Sequence, residues 1–425
     1  MGRDAIIVVG CGWLQGYVIR EAQALGLSAI ATDANPHAMY VDRVDEFYPV
    51  STYDVDGHRR LAKSLLDSAF FTIRGCVTNG ADVAPTVAAV CEVLGTPGIP
   101  YAVAKRTHNK YEVRKALDDE GLERYQPAWV HVEVKNTTLC LLDASAEERF
   151  AKEHLAAMGI LQSVEMPLVM KPLSQRASRG ISIVRNAKEY VMAEKNVRTF
   201  GNEWLEEAYL IGTEHSAEIL LRDGECLYFN MDDRFFTYTN GIPLEIGHVN
   251  PSQRTPDAWA AVRTMVLDAA RALGVTWGPF KVDVCYTADG PKILECTARP
   301  SGLFAALTPR ATGQEPLKAL VQLACGMPVD AQLAPTHCTP VATAAILPQK
   351  SGIVQRYPAW NYLTPVTKAL IDDVAWSVRV GDTIAPASHN GERAGFVFAS
   401  GPTGDVAWQR TSLAAEALAV GIEVA

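Results

Sequence analysis

Over the first hundred residues, short apolar runs alternate with stretches of helical spacing. Residues 6–9 (Ile-Ile-Val-Val) and 29–32 read as strands. Between them, 17–25 carries apolar positions at helical intervals and is closed by Gly26. Residues 75–78 predict a third strand, ahead of a helix over 83–94. Alternation of β and α in this manner predicts a parallel sheet covered by helices. The turn-rich segment Gly95-Thr-Pro-Gly-Ile-Pro100 places the end of this unit near Ala104.

Beyond residue 105 the texture changes. A charged helix over 109–119 leads into strands near 128–132 and 168–171, then a strand pair at 204–209 and 214–221 followed by the turn Arg222-Asp-Gly-Glu225. A long amphipathic helix is predicted over 257–273, then a hairpin of 280–286 and 292–297 around Ala288-Asp-Gly290. From about 327 the chain predicts short strands, with 378–384 and 393–398 forming a β-rich cap, and a closing helix at 412–420. The Leu-rich stretch within 133–165 is assigned to no element. The expected organisation is α/β in three parts: 1–104, 105–326 with a subdomain at about 125–205, and 327–425.

A chain of 425 residues is too long for one ordinary core. With 48% hydrophobic and 20% charged residues it has the make-up of a packed globular protein. A net charge of -9 without a basic patch argues against nucleic-acid partners. No apolar stretch reaches membrane length and the N-terminus lacks a signal-peptide layout, so no membrane partner is expected. Nine scattered cysteines without metal-like spacing fit a reducing cytoplasm and argue against zinc.

Candidate chemistry concentrates on the predicted hairpin. Side chains at i, i+2 and i+4 of a strand share a face, so Glu295, Thr297 and Arg299 line one surface. Asp283 joins them if it lies opposite Glu295, which requires a three-residue loop, Ala288-Asp-Gly290, with Gly290 left-handed. Two carboxylates and a hydroxyl, with room for phosphate and water, suit Mg²⁺. A solvated strand face would carry the same charges, but the apolar neighbours Val282, Val284, Ile293 and Leu294 make these acids half buried at least. Upstream, Lys171 ends an apolar strand and precedes a small-residue loop over 173–180, bearing Arg176 and Arg179, that can cradle phosphates. The acids Glu206, Glu207 and Glu214 adjoin a further apolar strand and can accept from a base or a ribose.

In this order and at these separations, the segments from about Asn109 to Gly326 resemble the ATP-grasp superfamily. The resemblance implies a Rossmann-like N-terminal domain, a central ATP-grasp domain with a mobile lid, and a small C-terminal β-rich cap. It also implies ATP contacts at Lys110 and Lys171, and a lid loop over 173–180 that includes Ser178 and Gly180. An adenine hinge is implied at Glu206, Glu207, Tyr209 and Leu210, with Glu214 on the ribose. The strand Ile293-Leu-Glu-Cys-Thr-Ala-Arg-Pro300 is similar to the family's metal strand, which implies two Mg²⁺ held by Asp283, Glu295 and Thr297. Thr297 stands where the family usually has Asn, Asp283 where Glu is common, and the hinge is one residue longer.

Within the superfamily the chain looks most like carboxylate–amine ligases of the amino acid and dipeptide type. That likeness rests on Leu244-Glu-Ile-Gly-His-Val-Asn-Pro-Ser252, Pro300-Ser-Gly-Leu-Phe304 and Arg310, and implies substrate contacts at Glu245, His248, Ser301, Gly302 and Arg310. The expected catalytic cations are Lys171, Arg299 and Arg310. The expected substrates are a small carboxylate and an amine, with a homodimer left open. Bicarbonate activation or a purine-pathway ligation would use the same fold. Two other classes compete: a non-catalytic nucleotide-binding protein, and an NAD-dependent oxidoreductase. The latter is suggested by Gly10-Cys-Gly12 after a strand and Asp33 at the end of the next, with the third glycine displaced to Gly16.

Overall fold

The computed structural model describes residues 2–425 except 69, 136–137, 145–165, 176–177, 240–241, 359 and 361–362. The N-terminal strands form a parallel sheet in the order Glu46–Tyr48, Ser28–Thr32, Arg3–Val9, Phe71–Val77. Ala5 through Val9 are wholly buried, because helices cover both faces and leave no side for polar residues. Those helices include Gln15–Ala24, Val55–Leu66 and Ala84–Leu94. The predicted charged helix is Lys110–Asp119, with the Asn109 side chain accepting from the Tyr111 and Glu112 amides as its N-cap.

The centre of the molecule is an eight-stranded antiparallel sheet. Its order is Gly290–Thr297, Gly278–Thr287, Thr213–Arg222, Glu225–Thr239, Ile242–Asn250, Val341–Ile346, Gly395–Ser400, Asp373–Trp376. The amphipathic helix Pro256–Leu273 packs Val262, Met265, Val266 and Ala269 onto one side of it. A separate five-stranded sheet, with Glu203–Ala208 between Trp129–Lys135 and Leu168–Pro172, carries the helix Ala187–Val197.

Three expectations change. Residues 204–209 and 214–221 are not partners. Glu203–Ala208 lies in the five-stranded sheet and Thr213–Arg222 in the central one, so the four residues between them are a crossover. Two apolar runs four residues apart look like a hairpin locally, but each finds a better-matched partner far along the chain. The segment over 244–252 is itself a strand, Ile242–Asn250. And strands after residue 327 do not stand apart: Val341–Ile346 pairs with Ile242–Asn250 and continues the central sheet.

Candidate active site

One face of the central sheet carries polar residues across six strands. Directly opposed residues form the row Glu295, Asp283, Ser216, Asp232 and a second row Thr297, Lys281, Glu218, Asn230. Arg234, His248 and Thr343 make a third. The alternate positions, among them Ala217, Ile219, Met231, Val282 and Val284, are apolar and buried under the helix Pro256–Leu273. His215 and Asp233, paired with each other on that side, are exceptions, and much of the polar face is buried too, including Ser216, Glu218, Asp232, His248 and Lys281. Burying so many polar groups is costly unless they pair with one another or with a ligand.

The acid hairpin reaches its expected pairing by an unexpected route. Its loop has two residues, Ala288 and Asp289, since Thr287 pairs with Gly290, and Gly290 is left-handed (φ 103°). That register would put Asp283 opposite Leu294. A bulge between Val284 and Asp283 corrects it, so that Asp283 faces Glu295 and Lys281 faces Thr297. The bulge also turns two carbonyls toward the buried Arg114, which donates to Ile293 O (2.9 Å) and Leu294 O (3.1 Å).

Each acid of this hairpin has a cation. Asp283 pairs with Lys281 Nζ (2.6 Å) and Arg234 (3.0 Å), and Glu295 with Lys110 Nζ (2.9 Å). Burial pushes the Asp283 carboxyl up, but Arg234 and Lys281 outweigh it and hold the group below its ordinary value. Arg299 donates from Nε to Asp82 (2.7 Å) on the N-terminal domain. Among the described residues no three His, Cys, Asp or Glu side chains form a ready metal cluster. Two opposed carboxylates and the Thr297 hydroxyl remain a fair donor set for a cation that takes its other ligands from phosphate and water.

Lys171, in the strand Leu168–Pro172 ahead of the loop over 173–180, is buried and donates to Glu207 Oε2 (2.6 Å). Arg114 holds Glu207 Oε1 (2.8 Å). Burial raises the Glu207 carboxyl, but the two cations bring it to about 2. Both oxygens of Glu207 are thus taken, and Glu206 accepts from the Tyr190 hydroxyl (2.6 Å) and the Trp204 indole (3.2 Å). Both Glu207 oxygens and Glu206 Oε1 are therefore engaged within the protein. Tyr209 donates its amide to Pro167 O (3.0 Å), and Leu210 follows in the crossover. Glu214 stands 3.7 Å from Arg234. Ser178 and Gly180 both have left-handed backbones (φ 64° and 76°) in the loop, while Arg176 lies outside the described residues.

Above the polar face opens a cavity of about 710 Å³, walled by all three parts of the chain. Ser178, Glu245, His248, Asp283, Glu295, Arg299, Ser301 and Gly302 line it. The turn bearing Ser301 and Gly302 docks on the N-terminal domain so closely that a Cβ on Gly80 would lie 2.7 Å from the Gly302 Cα. Arg310 is not in this wall. It donates to Asp373 (2.6 Å) and to Ala306 O (2.8 Å) and lies over the Phe398 ring. The cations present instead are Arg234, Lys281 and Arg393, which were not singled out in the sequence. Only part of the signal is local: Asn230-Met-Asp232 and Lys281-Val-Asp283 alternate polar with apolar residues, whereas Asp233 breaks the alternation beside Arg234 and nothing around Arg393 marks it.

His248 belongs to this cationic group. Burial depresses it, but Glu245 and, at 3.7 Å, Asp232 prevail and hold it at about 9. An imidazolium at neutral pH is a poor proton acceptor, which argues against a general-base role for His248. Its folded value lies above the ~6.5 of an unfolded chain. The stabilisation is therefore complete below about pH 6.5 and lost as pH rises through about 9. Urea titrations should show the stability gap between wild type and His248→Gln shrinking over that window; a gap constant with pH would show His248 neutral throughout.

The glycine loop of the N-terminal domain is closed from within. The Cys11 amide donates to Asp33 (3.0 Å), and the Gly12 amide to Gln15 Oε1 (3.0 Å). A Cβ on Gly16 would lie 2.1 Å from the Tyr40 ring. The donors that a dinucleotide pyrophosphate needs are used by the protein, which removes the main support for the oxidoreductase reading.

Residues 164–305 match the family described as ATP-grasp domain. Carnosine synthase 1 of Gallus gallus is 26% identical over 77% of this chain, and the match covers 36% of that protein. The chain spans 36–40% of the length of the carnosine synthases it matches. In structure it is similar to an L-amino acid ligase from Bacillus licheniformis (TM-score 0.74, 19% identity, covering 100% of this chain and 99% of that one). It is also similar to a phosphoribosylglycinamide synthetase from Anaerococcus prevotii (TM-score 0.73, 17% identity, 100% of both chains). The likeness in structure is one of fold. The domain match identifies residues 164–305, which include the acid pair Asp283 and Glu295 facing the cavity, as an ATP-grasp domain.

Proposed function

We propose that the protein is an ATP-dependent carboxylate–amine ligase acting on a small acid such as an amino acid. The observation that carries this reading is the placement of Asp283 opposite Glu295, with Arg299 beside them, on the wall of a cavity sized for small molecules. A carboxylate oxygen of the acid attacks the γ-phosphorus of ATP, ADP leaves, and an acyl phosphate forms. The amine nitrogen then attacks the acyl carbon, phosphate leaves, and the nitrogen gives up a proton. Mg²⁺, held by Asp283, Glu295 and Thr297, would offset charge on the transferring group.

The chain's own residues hold and shield the reactants. Lys110 and Lys171 contact phosphates from two sides, and the loop with Ser178 and Gly180 covers them. Glu207 and Arg114 fix Lys171 from below. Tyr209, Leu210 and Glu214 lie toward the nucleoside end, while Glu245, His248, Ser301 and Gly302 face the substrates. Excluding water matters because an acyl phosphate hydrolyses.

The names of the carnosine synthase and the L-amino acid ligase agree with amide formation. The test is phosphate release over a matrix of acids and amines with ATP and Mg²⁺, products weighed by mass spectrometry. ADP with a product of mass acid plus amine minus water is expected. Turnover that requires bicarbonate as the acid, or a phosphoribosylamine as the amine, would replace this reading by a carboxylase or a purine-pathway ligase.

A further inference from the structure

The closed glycine loop ends in Trp13 and Leu14, and both side chains reach the main cavity. Trp13 stacks on Phe396 of the cap at 5.2 Å between ring centroids. Leu303, Val378 and Ile384 complete the wall. Six apolar side chains from three distant segments thus face the charged sheet across one cavity. Such a wall gains nothing from water and much from an apolar group.

Where the two walls meet stands Arg393, its guanidinium 4.9 Å from the Phe396 ring centroid. Among the described residues its carboxylate partner is Glu245, at 3.8 Å. Glu245 is already held more closely by Arg234 (2.6 Å) and by His248. Glu392, also on the wall, accepts from the Ser388 amide and hydroxyl. Arg393 also donates from Nε to Asn390 O (2.7 Å) and from Nη1 to the Glu245 carbonyl (3.4 Å), so it is a cation oriented by backbone oxygens, with a distant carboxylate partner, set beside an apolar surface.

Resting on the ligase reading, we infer that the amine component is an α-amino acid with a large apolar side chain. Its side chain lies against Trp13 and Phe396, and its carboxylate is held by Arg393. The assignment to the amine component follows from the chemistry. The acid component loses its carboxylate to the new amide, so a carboxylate that stays free through the reaction belongs to the molecule that supplies nitrogen. The phosphate end of the cavity, by contrast, must take the carboxylate that is consumed.

The experiment measures ADP release and amide mass for all pairwise combinations of the twenty amino acids, with 2-phenylethylamine as an amine lacking the carboxylate. Phe, Leu or Met as amine should exceed Gly and Asp at least about ten-fold in kcat/KM, the scale at which apolar pockets discriminate. Phe should exceed 2-phenylethylamine, and Arg393→Ala should abolish that difference. Trp13→Ala should raise KM for the apolar amine about ten-fold and affect glycine less. Because Trp13 also packs on Phe396, Trp13→Leu, which keeps an apolar surface, is compared with it and the unfolding midpoint of each variant recorded. A preference for Asp or Lys as amine, or equal losses for glycine and phenylalanine in Trp13→Ala, would overturn the inference and leave the ligase reading standing. ADP release with no pair at all would overturn both.

Discussion

Replacing Arg234 with Met will lower the stability of the protein by about 3–5 kcal/mol at neutral pH, the usual cost of leaving buried charges without their partner. Arg234 is 8% exposed and sits among Glu245 (2.6 Å), Asp283 (3.0 Å) and Glu214 (3.7 Å). Burial works against its charge, but the three acids raise its proton affinity further. Asp283 keeps Lys281 and Glu245 keeps His248, whereas Glu214 is left with no ion pair on the described residues. Adding Glu214→Gln should therefore recover part of the loss. Urea unfolding of the single and double variants measures both effects. A loss under about 1 kcal/mol would mean that these acids are solvated and that the polar face is open to water.

Glu295→Ala and Arg299→Ala should each slow substrate-dependent ADP release by a factor on the order of 10²–10³, the cost of removing one charge partner from a phosphoryl transition state. In the proposed mechanism Glu295 would act through the cation it helps hold, and Arg299 directly on the charge of the transferring group. Arg310→Ala provides the contrast. Its pair with Asp373 is part-exposed and lies outside the cavity, so its loss should cost less than about 1 kcal/mol of stability and leave ADP release near the wild-type rate. ADP release and unfolding midpoints for the three variants separate these outcomes. If Arg310→Ala fell as far as Arg299→Ala, the cavity would not be where the reaction occurs.

Where the sequence was legible, a local pattern and the final environment agreed. The apolar runs of the first domain became its parallel strands, the helix over 257–273 formed almost as spaced, and Asp283 met Glu295. What misled were places where distant partners decided the outcome. The hairpin loop is shorter than the pairing of its acids required, and a bulge makes up the difference. Arg114, ninety-three positions from Glu207, claims a carboxylate that looks available when its own strand is read alone. Arg310 followed a plausible spacing, but its guanidinium pairs with Asp373 and lies outside the cavity wall. Arg234 and Arg393 went unnoticed for the converse reason: each lies in an ordinary strand or turn, and only the folded sheet sets them around one space.

The unbroken sheet from the acid hairpin to the cap has a mechanical consequence. Asp283 and Phe396 both face the cavity, and their strands are separated by five inter-strand steps. At about 4.8 Å per step this is roughly 24 Å along the hydrogen-bonding direction. Strands joined edge to edge neither slide nor stretch, so the two ends act as fixed jaws of a caliper. Any adjustment to a bulkier or slimmer molecule then falls to the side chains between the jaws, or to the smaller sheet hung on its four-residue crossover.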